Sequence, residues 1–592
     1  MEPRREDQNL APRVSGKGCN IKFLNLELIF DHMGHFGRLQ ILLYFMCAYQ
    51  NVSCGIHYVS TIFMLITPAY TCKPPGEVKR AVFQNVSSWR LEEILTLLSP
   101  GQKDHIAVEL QDGEIWELSR CSRIWRENMS HLDYEYSGYK HNIPCSDGYV
   151  YDQSKWENSV VTRWDLVCDR KWYVDVIQPF IMFGVLLGAI IFAYLSDRIG
   201  RRMVLWCTSI GVFLFGITSV FTFDYYSFLA SRFLLAVSAS GYHVVVFIYV
   251  MEFVGMKFRT CVSIHLHTSF AIGIITVSLM SQLVKTMWIY QMILSTVTVP
   301  FILCCWMLPE TPFWLFSKGK YKEAQILVDI IAEGNHGRHC DLSELFSLDL
   351  NGPVSNASVA KKHNITDLFF DWNIASRTLM LWIIWFTCSL GFFSLNLNTF
   401  NIINNESLQL VLVGSLEIAA TSFVSIVLDR VGRRKVLICS LLCIVLVCGT
   451  LMVIPQNDTI WTIVVVMIGK FAIGSAFGLI YLYTAELYPT IIRSTAVGSG
   501  SMVCRVVSIM SPLSREISKT WILIPQLSLG IMALLSLLLA VQLPETVGKP
   551  LVTTWEEMAQ LEAEKTSLPQ TKDTGLGKEE ATDLEGSAAA AE

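Results

Sequence analysis

Charge is what this sequence has least of. Asp, Glu, Lys and Arg make up 16% of its 592 residues, against about 25% in a typical soluble domain. That scarcity, beside 52% hydrophobic residues, excludes a string of soluble domains and points to a chain lying mostly in lipid. Neither sign dominates: 46 basic against 51 acidic side chains leave a net charge of -5, which excludes nucleic acid as a main partner. No Gly-x-x-x-x-Gly-Lys-Ser/Thr string occurs, so a P-loop pump is excluded and gradients must supply the energy. The first forty residues, with Arg4, Arg5, Glu6, Asp7 and Lys17, lack the basic start and short apolar core of a cleaved signal. No reactive His or Ser with interfacial partners stands out, so the chain is expected not to be an enzyme, with no cofactor and no metal site. A multi-span receptor is the competing class that motifs alone do not separate.

What is abundant is long apolar runs. Twelve of about 20 residues, the length that crosses a hydrocarbon core, lie near 41 to 66, 174 to 195, 203 to 222, 227 to 251, 261 to 284, 288 to 308, 378 to 402, 407 to 428, 435 to 454, 460 to 484, 495 to 516 and 522 to 543. The expected fold class is an all-α membrane protein of twelve transmembrane helices. Basic residues concentrate on cytosolic loops. Asp197-Arg198-Ile199-Gly200-Arg201-Arg202 and Asp429-Arg430-Val431-Gly432-Arg433-Arg434-Lys435 therefore place both termini in the cytosol.

The resulting division is a cytosolic segment 1–40, a first span 41–66, an extracellular loop 67–173, the rest of the first helical half 174–315, a cytosolic loop 316–376, a second half 377–543 and a mostly disordered cytosolic tail 544–592. The loop 67–173 holds Cys72, Cys121, Cys145 and Cys168, and the sequons at Asn85 and Asn128. Disulfides and glycans belong outside the cell, and four cysteines permit three pairings, which the sequence leaves open.

An internal repeat organises the rest. Asp197 matches Asp429 (429 − 197 = 232), Glu252 matches Glu486 (486 − 252 = 234), and Leu308-Pro309-Glu310-Thr311 matches Leu543-Pro544-Glu545-Thr546 at an offset of 235. Two parallel six-helix repeats are the architecture of a transporter whose site lies between the halves. Asp197, Arg201, Arg202, Glu252 and Arg259, with Asp429, Arg433, Glu486 and Arg493 in the second half, are expected to form ion-pair clusters at helix ends that hold one gate conformation.

Three strings carry a family resemblance: Trp164-Asp165-Leu166-Val167-Cys168-Asp169-Arg170-Lys171-Trp172, Pro309-Glu310-Thr311-Pro312-Phe313-Trp314-Leu315 and Ala485-Glu486-Leu487-Tyr488-Pro489-Thr490. With them the chain resembles, over nearly its whole length, the organic cation/carnitine transporter family of the major facilitator superfamily, and most of all its carnitine-linked members. The resemblance implies that fold and a plasma-membrane transporter of carnitine and related organic cations. Polyspecific transport of organic cations or anions is the alternative.

Mid-membrane charge is costly and marks function by default. Glu417 lies about halfway along span eight, and Arg505 roughly 15 Å from the start of span eleven at 1.5 Å per residue. An acid and a base at similar depth suit a zwitterion, with the planar guanidinium gripping a carboxylate; mutual pairing is the bland alternative. The resemblance implies the same, since Arg at the position of Arg505 is typical of carnitine and anion members. A quaternary ammonium is held by ring faces. Trp385 and Phe392, seven residues apart on one helical face, match site-lining positions of the cation members, though Phe392 replaces a common Tyr; Tyr481 and Tyr483 add to the set. Arg232 and Lys470 read as helix ties. His265 and His267, about 200° apart on a helix, read as polar packing.

Overall fold

The computed structural model describes residues 29–30, 33–81, 105–112, 114–126, 142–154, 156–336, 365–369, 372–402, 405–455, 458–488, 492–520 and 523–547. Asn85 and Asn128 lie outside the described residues, as does the Asp429 side chain.

The first half comprises α1 (Arg38–Met64), α2 (Lys171–Ile199), α3 (Arg201–Thr218), α4 (Tyr225–Phe253), α5 (Met256–Leu283) and α6 (Met287–Thr296, continued by Val299–Cys304). The second comprises α7 (Trp372–Ile402), α8 (Glu406–Val431), α9 (Arg433–Val453), α10 (Thr459–Leu487), α11 (Arg493–Thr520) and α12 (Ile524–Gln542). Eleven of these runs are long and apolar enough to cross a membrane, and α11 has a shorter apolar stretch, Thr495–Met510. Lipid offers no partner for backbone amides, so such runs close their hydrogen bonds as helices.

Inside each half the helices approach closely where side chains are small. A Cβ on Gly188 of α2 would sit 2.2 Å from the Val237 carbonyl oxygen of α4. Between the halves, α5 packs on α8 and α11 on α2, the two contacts that the repeat interchanges.

Residues 70–151 add structure that the helical reading did not foresee. Strands β1 (Tyr70–Cys72), β2 (Val78–Ala81), β3 (His105–Leu110), β4 (Ile115–Ser119), β5 (Ser122–Arg126), β6 (Asn142–Pro144) and β7 (Tyr149–Tyr151) form two antiparallel sheets, β1-β7 and β2-β3-β4-β5-β6. Disulfides join Cys72 to Cys145 and Cys121 to Cys168, with Cα separations of 5.3 and 5.6 Å. Arg123, nearly buried, pairs with Asp147 at 2.6 Å and holds that carboxyl below the usual carboxylate range.

At the opposite end, the stretch between the halves is more than a loop. Its helix Tyr321–His336 buries Leu327, Val328 and Ile331 against Ile29, Phe30 and Met33. Asn335 closes this corner, donating to the Met33 carbonyl at 2.9 Å and to Gln40 Oε1 at 3.1 Å.

Candidate substrate-binding site

The charged motifs form two matching clusters at the end away from the sheets. Gly200 alone separates α2 from α3, and Gly432 alone separates α8 from α9, each at positive φ (105° and 106°). The turn leaves the first amides of α3 and α9 unpaired, and a carboxylate answers each. Glu310 Oε1 accepts from the Arg201 amide at 2.9 Å, and Glu545 Oε1 from the Arg433 amide at 2.9 Å; both anions sit at the positive end of a helix dipole. Burial pushes the Glu310 carboxyl above the usual carboxylate range, against those amide bonds. The guanidinium of Arg201 meets Asp197 and Glu252 at 3.0 Å each, and that of Arg433 meets Glu486 at 3.1 Å. Thr546 Oγ1 donates to Glu486 at 2.5 Å. The Arg201–Glu252 and Arg433–Glu486 pairs each stay within one half. Arg202 reaches the Trp306 carbonyl at 2.9 Å and Arg259 the Val254 carbonyl at 3.4 Å; Arg493 begins α11.

Sequence reasoning used the Leu-Pro-Glu-Thr repeats as register marks and missed Glu310 and Glu545 as members of the clusters. The signal was their recurrence at an offset of 235 (545 − 310), within one residue of that linking Glu252 to Glu486.

The seam between the halves is sealed toward the sheets. Ser278 Oγ donates to the Ser407 carbonyl at 2.5 Å, Ser281 and Ser407 hydroxyls meet at 2.8 Å, and Asn405 Oδ1 caps α8 by accepting from the Ser407 amide at 3.1 Å. Ile509 of α11 packs on the start of α2. Deeper, Thr268 and Thr421 hydroxyls meet at 3.0 Å. Below them rings from both halves converge on Tyr481: its centroid is 4.5 Å from Trp385, 4.9 Å from His267, 5.8 Å from Phe477 and 6.0 Å from Phe247. Phe247 and Tyr481 are repeat mates (481 − 247 = 234), so one position of the repeat faces itself across the seam. Most of these side chains are only half-buried in the middle of the bundle, as residues lining an internal cleft are.

Arg505 belongs to this cleft. Cys504 Sγ donates to the Trp385 carbonyl at 3.3 Å and Ser389 Oγ to the Cys504 carbonyl at 2.9 Å, pinning α11 to α7 beside it. The guanidinium lies within electrostatic reach of the Tyr58 and Tyr481 phenols, and its Nε is buried without a hydrogen-bond acceptor. Glu417 does not neutralise it: the opposite charge facing Glu417 is Lys470. Lys470 also lies 5.1 Å over the Phe392 ring.

The structure thus brings together Arg505, Tyr481 and, at the edge, Trp385, which is fully buried and donates from Nε1 to Thr484 at 3.1 Å. It places Phe392 and Glu417 with Lys470. Tyr483 is not in the cleft; fully buried, it donates to the Pro544 carbonyl at 2.5 Å, as its repeat mate Tyr249 donates to Pro309 at 2.9 Å. Arg232 ties α4 to α1 and α6 through Ser60 at 3.1 Å, Thr61, and Gln291 at 3.3 Å. His243, Phe247 and Phe477 were not singled out in the sequence, and His267 was read there as polar packing; a ring in a helix apolar on both sides carries no mark of facing inward.

The profile of the family described as "Sugar (and other) transporter" matches residues 134–558. A human protein, Solute carrier family 22 member 16, is 60% identical over 563 residues, covering 94% of this chain and 98% of its own. The chain belongs to solute carrier family 22. A second solute carrier family 22 member 16, from Xenopus laevis, is 50% identical over 90% of this chain and 94% of its own. The human Organic cation/carnitine transporter 2 is 28% identical over 90% of this chain and 94% of its own. Among solved structures, a proton:xylose symporter of the major facilitator superfamily aligns with TM-score 0.51 at 16% identity, over 66% of this chain and 90% of that one. That likeness shows the major facilitator fold for this solute carrier, which is a multi-pass membrane transporter and not an enzyme.

Proposed function

We propose that this transporter moves carnitine and related organic cations across the plasma membrane by alternating access. The observation that supports it most is Arg505: a mid-membrane guanidinium, opposed by no described carboxylate, beside a ring cluster built around Tyr481. A buried cation invites an anion, and the rings invite an ammonium without donors. Carnitine presents both. The names of related proteins, among them the Organic cation/carnitine transporter 2, favour the same substrate class. In this reading the sheets and their disulfides lie outside the cell, Asn85 and Asn128 carry glycans, and both termini are cytosolic. The motif clusters stiffen the cytosolic mouth of each half, so that the halves rock as bodies.

The test is uptake of labelled carnitine and of a carboxylate-free quaternary amine into proteoliposomes, with and without a sodium gradient. Saturable carnitine uptake above the amine is expected; absence of saturable carnitine uptake would overturn the proposal.

A further inference from the structure

Next to Arg505, two imidazoles of α4 and α5 face the cleft with no carboxylate among their described contacts. Their hydrogen bonds fix which nitrogen holds the proton. Asn51 donates from Nδ2 to the Leu266 carbonyl at 2.9 Å, which can only accept, so its Oδ1 is the atom 2.8 Å from His243 Nδ1. His243 must therefore donate from Nδ1. His267 Nδ1 lies 3.1 Å from the Ser263 carbonyl, again an acceptor only, so it too bears its proton on Nδ1. The consequence is that each Nε2 carries a lone pair and no proton. That of His267 is buried and unpartnered, on a ring 4.9 Å from Tyr481 and within electrostatic reach of Arg505. A buried acceptor with its hydrogen bond unmade is costly, and a ligand that supplies a donor relieves that cost.

Resting on the carnitine reading above, we infer that His267 is a specificity-determining residue: its Nε2 accepts a hydrogen bond from the hydroxyl of a substrate whose carboxylate is held by Arg505. In carnitine the hydroxyl-bearing carbon stands one methylene from the carboxylate. A donor there completes His267, while the same skeleton without the hydroxyl leaves the nitrogen bare. Sites built to bond a hydroxyl reject analogues lacking it for that reason.

The experiment compares uptake of carnitine and of its deoxy analogue, 4-(trimethylammonio)butanoate, in cells expressing the full chain at measured surface level. The wild type should favour carnitine by roughly 2- to 12-fold in apparent affinity. His267→Phe keeps a ring against Tyr481 but has no acceptor; it should remove the preference by weakening carnitine alone. His267→Gln, whose amide oxygen can accept, should keep much of it. Wild-type indifference to the hydroxyl, or equal weakening of both substrates by His267→Phe, would overturn the inference and leave the carnitine reading standing. Absence of saturable uptake of either compound would instead remove the reading on which it rests.

Discussion

At the scale of single residues, what matters is which buried charges have a partner. Glu417 and Lys470 are opposite charges within electrostatic reach of one another inside the second half, and Lys470 also donates to the Phe392 carbonyl at 3.5 Å. Glu417→Gln should lower stability by about 1 kcal/mol, and the double change Glu417→Gln with Lys470→Met should recover part of it. Thermal unfolding of purified protein in one detergent measures both; a double variant as weak as the single would show that the two charges do not compensate each other. The depth of Glu417 and Arg505 was legible in the sequence, because a charge breaks an apolar run at a countable position. Their azimuth was not. The helix α8, apolar on its lipid side and its inner side, has no moment to orient it, and so the sequence did not show that the charge facing Glu417 is Lys470.

At the scale of elements, the turns Gly200 and Gly432 and their carboxylates decide the shape of the motif end. A Cβ at Gly200 would lie 2.3 Å from Glu310 Oε2, and one at Gly432 2.7 Å from Glu545 Oε2, with φ positive at both. Gly200→Ala should therefore cost about 1 to 3 kcal/mol in strain and displaced contact, read as a lower unfolding temperature. Unchanged stability would mean that the turn relaxes freely. Glu310→Gln and Glu252→Gln should reduce the maximal transport rate by several-fold while leaving substrate affinity near that of the wild type, since Glu310 accepts from the first amide of α3 and Glu252 pairs with Arg201, and neither touches the rings around Tyr481. Normal maximal rate with weakened affinity would move these carboxylates to the binding site. The recurrence of these motifs was plain in the sequence, yet the capping role of Glu310 was hidden, because it joins residues 109 apart (310 − 201) that only the folded half brings together.

At the scale of the whole molecule, the apolar runs were legible enough to give the spans, the repeat the two halves, and three motif strings the family. The seam follows from it: α5 with α8 and α2 with α11 are the contacts that a parallel repeat makes twice. The sheets were not legible, since their strands of three to six residues are too short to show a period of two against the turns between them. Their cysteines left three pairings, of which the structure forms Cys72–Cys145 and Cys121–Cys168. Mass-spectrometric mapping under non-reducing conditions should find those two bridges; a Cys72–Cys121 peptide would contradict the sheet arrangement. With its two cysteines 47 positions apart, losing the second bridge should cost about 4 kcal/mol in the chain-entropy account and reduce delivery to the cell surface.

The central claim is that Arg505 selects a substrate carboxylate, and one measurement reaches it directly: uptake of carnitine against a carboxylate-free quaternary amine by Arg505→Ala, normalised to surface expression, with the exchange Arg505→Glu and Glu417→Arg alongside. A charge-assisted hydrogen bond contributes about 1.5 to 3 kcal/mol, or roughly 10- to 150-fold in affinity. Carnitine uptake should fall by that factor with uptake of the amine little changed, and the exchange should not restore it. Equal loss for both substrates at normal surface level, or rescue of carnitine uptake by the exchange, would contradict the account.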